Sequence, residues 1–229
     1  MHRLGRVRDI APTYTCIVAL AVWLDKTMAK SGDSRLSSCC RLVSTICVEY
    51  IFSKYQNNFK PNLIVFVNRD GFGDVATDHW LGLQSVYLLT NSGFDFVLKV
   101  EIRPQNSTTF QQYYYNFRIE NEANYYQLRF SSTSSNSKSP LGDSLSPALN
   151  SAFSTYDADH DGDITINCAL RHQSGWWFPT NCSLTEGNPL GRLVKPLDDL
   201  WSGKPEDVFW LNDLGNVGPW KIVIWITKT

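Results

Sequence analysis

Asp157-Ala158-Asp159-His160-Asp161-Gly162-Asp163, followed by Cys168, by Ser174-Gly175-Trp176-Trp177-Phe178 and by Cys182, is the stretch that decides how this chain is read. Carboxylates at every second position repel one another, but a tightly turning loop brings alternate side chains to one side. There they converge on a hard cation, and main-chain carbonyls complete its oxygen shell. Calcium is the natural occupant, and a solvated acidic turn without an ion is the bland alternative. An EF-hand shares part of the pattern: Asp157, Asp159 and Asp161 fall on its first, third and fifth positions, Gly162 on the sixth and Ile164 on the eighth. Its twelfth position needs a bidentate Glu, and Cys168 stands there instead. Ser154-Thr155 and Ile164-Thr165-Ile166 also read as extended rather than as flanking helices.

Cys168 and Cys182 stand apart from the other four cysteines, Cys16, Cys39, Cys40 and Cys47. A disulfide closing a loop of this size stabilises by roughly 3 kcal/mol, which matters where regular structure is sparse. Two buried free thiols are the alternative. No further ligands with zinc-like spacing accompany them. The Trp pair between them is core packing by default, or a ligand wall.

Working outward, short strand-like runs alternate with turns. Phe96–Ile102, Tyr113–Ile119 and Tyr126–Phe130 read together as an antiparallel meander. Ser131 to Pro140 is Ser-rich without apolar anchors and reads as a loop, and from Gly142 to Pro219 long loops are expected, pinned by local chemistry. Lys221–Ile226 is a continuous apolar strand that returns to the central sheet. Upstream of about residue 66 the texture changes: Ser38–Phe52 mixes Cys, β-branched residues and charge without a clean period.

A net charge of −1 argues against a nucleic-acid or anionic-membrane partner, since both require a concentrated basic face. The apolar run Cys16–Leu24 follows Arg3, Arg6 and Arg8 and has the length of a signal-peptide core, but Asp9 interrupts the basic region and Asp25-Lys26 follows it. It reads as a signal peptide or, alternatively, as a buried helix or an artefactual segment. Asn106-Ser107-Thr108 is a glycosylation sequon, which with the even cysteine count suits secretion. Ser144, His79, His160 and His172 form no nucleophile–base pattern, so no catalytic residue is assigned and the chain is read as a non-enzyme.

Gly71-Phe72-Gly73, His79-Trp80-Leu81-Gly82-Leu83, Leu88-Leu89-Thr90, Gly142-Asp143-Ser144-Leu145, Phe153-Ser154-Thr155, the Asp loop, Cys168-Ala169, Gly175-Trp176-Trp177 and Cys182 occur in that order. The series resembles the fibrinogen C-terminal domain of fibrinogen chains, ficolins, tachylectins, angiopoietins and tenascins, over the last two thirds of the chain. The resemblance implies an α+β fold: a central antiparallel sheet beside a long, loop-rich region that binds calcium and ligand. It places the domain at 67–229. Residues 1–66 lack the family's Gly-Gly-Trp-Thr segment and its Cys spacing, and are read as a divergent or misassembled N-terminal region.

It further implies a structural calcium ion held by the Asp159 and Asp161 carboxylates and by carbonyls near Asp163 and Thr165. The stretch from Asp161 to Cys168 is one residue longer than the family's, which touches the carbonyls and not the carboxylates. A pocket for the acetyl group of N-acetylated sugars would have Phe178 in its wall and the N–H groups of Cys182 and Ser183 facing the acetyl oxygen, with a cis bond between Asn181 and Cys182. Ser183 stands where the family has His. The function implied is extracellular recognition, by a secreted module, of an acetylated glycan or, alternatively, of a protein in adhesion, matrix or receptor-ligand contacts. Any oligomer would form through segments outside this chain.

Overall fold

Seven strands of one antiparallel sheet carry the molecule, and they can be followed in a computed structural model that describes residues 48–54, 65–73, 78–104, 108–136, 138–193, 202–212, 218–219 and 221–229. Asn106 and the apolar run from Cys16 lie outside the described residues. The elements are β1 (Val48–Lys54), α1 (Val65–Asp70), β2 (Phe72–Gly73), β3 (His79–Trp80), α2 (Leu83–Thr90), β4 (Phe96–Arg103), β5 (Phe110–Tyr115), β6 (Arg118–Ile119), β7 (Leu128–Arg129), β8 (Ser132–Ser135), β9 (Phe153–Ser154), α3 (Cys168–His172), β10 (Trp176–Trp177) and β11 (Lys221–Lys228). The strand order in the main sheet is β2-β3-β1-β11-β4-β5-β8.

The C-terminal strand sits in the middle. Its register pairs Ile222 with Ile102, Ile224 with Val100 and Ile226 with Leu98, so period-two alternation puts these six on one buried face. Tyr114 on β5 continues that face opposite Leu98. On the other face Lys99 lies 4.7 Å from the Trp225 ring, the Trp225 indole N–H donates to Glu101, and Lys99 pairs with Glu101 at 2.9 Å. β11 therefore reads as continuously apolar because one face meets the core and the other a layer of aromatic and paired charge.

Two expectations change. The three runs read as a meander split: β5 leaves the chain at Tyr115, while β6 and β7 pair with each other in a separate two-stranded sheet. The outer neighbour of β5 is β8, inside the stretch read as a Ser-rich loop. An edge strand needs backbone partners more than apolar side chains, and here Tyr115 and Ser134 hydroxyls, 3.0 Å apart, and a Ser135–Gln112 bond add to the ladder. The sheet also draws on residues upstream of the expected domain start at 67, since β1 pairs with β11 on one side and β3 on the other.

The glycines quoted above have a steric reason. Gly71 and Gly82 have φ of 90° and 94°, and a Cβ on either would lie 2.7 Å or less from main-chain atoms of the other's segment, Leu81 O for Gly71 and the Asp70 carbonyl carbon for Gly82. This crossing seats α2, whose Leu83, Val86 and Leu89 are buried, against the core.

Candidate functional site: the Asp loop and its disulfide

The loops after β8 are fastened by polar contacts to buried aromatic anchors. Asp143 accepts from Tyr114 Oη at 3.2 Å and from the Leu145 and Ser146 N–H groups, while the Trp210 indole N–H donates to Gly142 O at 2.9 Å. Ser144 is buried, with its Oγ accepting the Asn212 N–H, which is a structural role. Asn188, wholly buried, donates to the carbonyls of His172, Pro205 and Asp207 and accepts from Ser174 Oγ. Sequence reasoning did not single out Asn188; nothing in the residues around it distinguishes it from a solvated loop asparagine.

β9 pairs with β10, which lays Phe153 and Trp177 edge-to-face at 5.1 Å and delivers the chain into the Asp loop. Asp157 turns back to accept Thr155 Oγ1 at 2.7 Å. Asp161 is buried, and its two oxygens accept the Asp163 N–H at 2.9 Å and the Cys168 N–H at 2.8 Å. Burial, and after it the neighbouring Asp159 charge, push the Asp161 carboxyl above its ordinary pKa, while the two N–H groups pull the other way. Asp159 Oδ1 lies 3.4 Å from the Asp161 N–H. Asp163 behaves differently: its Oδ1 accepts Thr165 Oγ1 and N–H and the Ile166 N–H, and its Oδ2 accepts the Cys182 N–H at 3.2 Å. Those bonds, led by the Thr165 hydroxyl, hold its pKa below the usual carboxylate value. The main-chain carbonyls of Asp163 and Thr165 accept no hydrogen bond among the described residues.

Cys168 and Cys182 are joined, with Cα atoms 5.3 Å apart, and Trp176 between them is buried. The Asp161 carboxylate lies within 4.8 Å of both sulfurs. Because the sulfurs are bonded to each other, that trio offers no thiolate and only Asp161 keeps a ligand oxygen. After the loop comes α3, one turn of helix in which Asn167 Oδ1 caps the Leu170 N–H at 2.7 Å; an Asn before Cys-Ala-Leu is the signal that could have found it.

Of the residues expected around an acetyl pocket, Phe178 is fully buried in the hydrophobic core, its ring stacked on His172 at 5.2 Å. The Asn181–Cys182 bond is trans, since the described residues contain no cis peptide. The Cys182 N–H goes to Asp163 and the Ser183 N–H to Asn181 Oδ1 at 2.9 Å, so both donors are used within the chain.

His172 supplies a pH dependence. Its Nδ1 lies 2.9 Å from the Pro205 carbonyl, which only accepts, so the neutral ring carries its proton there and Nε2 is buried without a partner among the described residues. Burial, the largest influence, holds its pKa below 6.5 against the pull of the Pro205 carbonyl, with Arg171 lowering it and the Cys182 backbone and Glu206 raising it. The folded chain then binds fewer protons than the unfolded one just below pH 6.5, so this contribution is full above that value and is lost as pH falls. His172→Phe is expected to flatten the dependence of melting temperature on pH between about 5 and 7. A profile as steep as that of the wild type would place the acid sensitivity elsewhere.

These residues build a disulfide-closed loop lobe fastened to an antiparallel sheet. The chain belongs to the family of the fibrinogen beta and gamma chains, C-terminal globular domain, which matches residues 53–217. It is similar to human tenascin-R, 37% identical over 120 residues, which are 52% of this chain and 8% of tenascin-R. It is also similar to human ficolin-3, 36% identical over 110 residues, which are 48% of this chain and 35% of ficolin-3. The chain thus spans about a third or less of these relatives. The fibrinogen-like globe domain of human ANGPTL2 superposes with a TM-score of 0.68 at 27% identity, over 78% of this chain and 79% of that one.

Proposed function

We propose that the domain is an extracellular module that binds protein, with calcium as a structural ion. The observation that carries the protein reading is the surface around the disulfide. Tyr156, Ile164, Ile166, Leu170 and Leu184 are exposed large apolar side chains, Ile164 to 99%, on the Asp loop, α3 and the turn after Cys182. These segments are tied together by the disulfide and by Asn167 Nδ2 donating to Tyr156 O. Apolar side chains concentrated on one loop lobe suit a protein partner and have no use in water. A sugar's acetyl group, by contrast, needs the open aromatic wall and free N–H donors that Phe178, Cys182 and Ser183 do not offer.

The ion reading rests on fit. A buried carboxylate crowded by a second one is costly unless a cation neutralises both, and oxygen-only donors suit a hard cation such as calcium. Asp159 and Asp161 would supply carboxylates, and the Asp163 and Thr165 main chain would supply carbonyls. The ion would supply charge neutralisation and no reaction chemistry, in keeping with a module that acts by binding. Among the described residues no helix is long and apolar enough to cross a membrane.

Passage of the refolded chain over immobilised N-acetylglucosamine, in calcium, tests the ligand class. It is expected to run through unretained. Retention with release by the free sugar would restore the acetylated-glycan reading and sink the protein one.

A further inference from the structure

Tyr125 is a residue whose backbone and ring are both unusual. It adopts the left-handed conformation, φ 50° and ψ 37°, and Tyr126 follows it at φ 51°. Two successive non-glycine residues there are strained, and such strain persists only where surroundings over-determine it. They do so here. Asn121 caps the turn by accepting the Asn124 N–H, its carbonyl accepts the Tyr126 N–H, and the Tyr125 carbonyl accepts the Phe153 N–H at 2.9 Å. The Tyr126 carbonyl takes the Trp177 indole N–H at 2.7 Å, and its hydroxyl donates to Gln84.

What this framework holds in place is the Tyr125 ring. It is 51% exposed, so core packing does not explain it, yet it lies parallel to the His160 ring with centroids 3.8 Å apart and an interplanar angle of 23°. His160 is the residue between Asp159 and Asp161. Its N–H donates to Ser154 Oγ at 2.9 Å, so its backbone is tied to β9 and its side chain to the Tyr125 turn. The two carboxylates flanking it are held unequally: Asp161 is pinned by two N–H groups, whereas exposed Asp159 makes a long contact of 3.4 Å with the Asp161 N–H. The direction in which Asp159 points is therefore set largely by the peptide that His160 anchors.

We propose that Tyr125 is a positioning residue for the Asp loop: by stacking on His160 it fixes the turn so that Asp159 and Asp161 face one calcium ion. The inference rests on the calcium reading. Loss of the stack frees the loop, and binding must then order it, which weakens affinity without removing any ligand.

Calorimetric titration of the full, disulfide-bonded chain with calcium chloride tests it. Tyr125→Asn removes the ring but tolerates the left-handed backbone, His160→Ala removes the partner, and Tyr125→Phe keeps the stack. The first two are expected to weaken calcium binding about two- to tenfold, the range that one aromatic pair supports, and Tyr125→Phe by less than about twofold. Tyr125→Asn combined with His160→Ala should be no weaker than the worse single variant, as for two residues acting through one contact. A purely structural stack would lower the melting temperature equally in calcium and in chelator and leave calcium affinity alone. Unchanged affinity in Tyr125→Asn, or additive losses in the double variant, would overturn the proposal. A wild-type chain that binds no calcium would overturn the calcium reading and this inference with it, whereas a binding wild type with an unaffected Tyr125→Asn sinks the inference alone.

Discussion

Replacing Asp159 and Asp161 together with Asn is expected to abolish calcium binding and to erase the difference in melting temperature between calcium and chelator. An ion that binds only the folded chain stabilises it by about 2.7 kcal/mol at one hundred times its dissociation constant. For a domain of this size that corresponds to roughly 5–10 °C, well within calorimetric reach. In chelator the variant should melt close to the wild type. It is relieved of a buried charge at Asp161, which offsets the loss of an acceptor for the Cys168 or Asp163 N–H. Asp157→Asn is the control, because the Asp157 carboxylate is turned to Thr155 Oγ1; it should keep the calcium-dependent stabilisation. A wild-type melting temperature that is the same in calcium and in chelator would refute the site.

The difference between Asp157 and its neighbours shows where the sequence stopped being informative. Alternation alone makes Asp157, Asp159, Asp161 and Asp163 equivalent. The fold separates them through short-range bonds that spacing does not encode: a hydroxyl two residues earlier for Asp157, main-chain donors seven residues later for Asp161 and nineteen later for Asp163. The same limit explains the acetyl pocket. Phe178 lies in an aromatic run that reads as core packing by default or as a ligand wall, and in the fold His172, six residues away, offers a face for it to stack on.

Strand legibility followed burial. β4 alternates because one face meets the core and the other a half-buried polar layer, and β11 shows as an unbroken apolar run because both its faces are covered. β8 was invisible because an edge strand held by its ladder and by serine hydroxyls carries no hydrophobic pattern. β1 has no clean period either, and its place is fixed by neighbours distant in sequence, β11 and β3. Paired residues that far apart are chosen by tertiary contacts, which a local pattern does not carry.

Replacing Cys168 and Cys182 together with Ala should have an effect as large as losing the ion, and should reach the ion site as well. The bridge closes a loop with a sequence separation of 14, for which loop-closure entropy alone gives about 3 kcal/mol, or roughly 6–12 °C in melting temperature. Both half-cystines also aim their N–H groups at loop carboxylates, Cys168 at Asp161 at 2.8 Å and Cys182 at Asp163 at 3.2 Å. With the bridge cut, these donors are held only by a one-turn helix and a short 3-10 turn, and the carboxylates lose their fixed directions. The Ala pair should therefore melt lower in chelator and gain less from calcium than the oxidised wild type does. By linkage, calcium should slow reduction of the wild-type disulfide by a small thiol, which trapping of free thiols over time would measure. A lower melting temperature with full calcium stabilisation would leave the bridge as a staple for the lobe and uncouple it from the loop carboxylates.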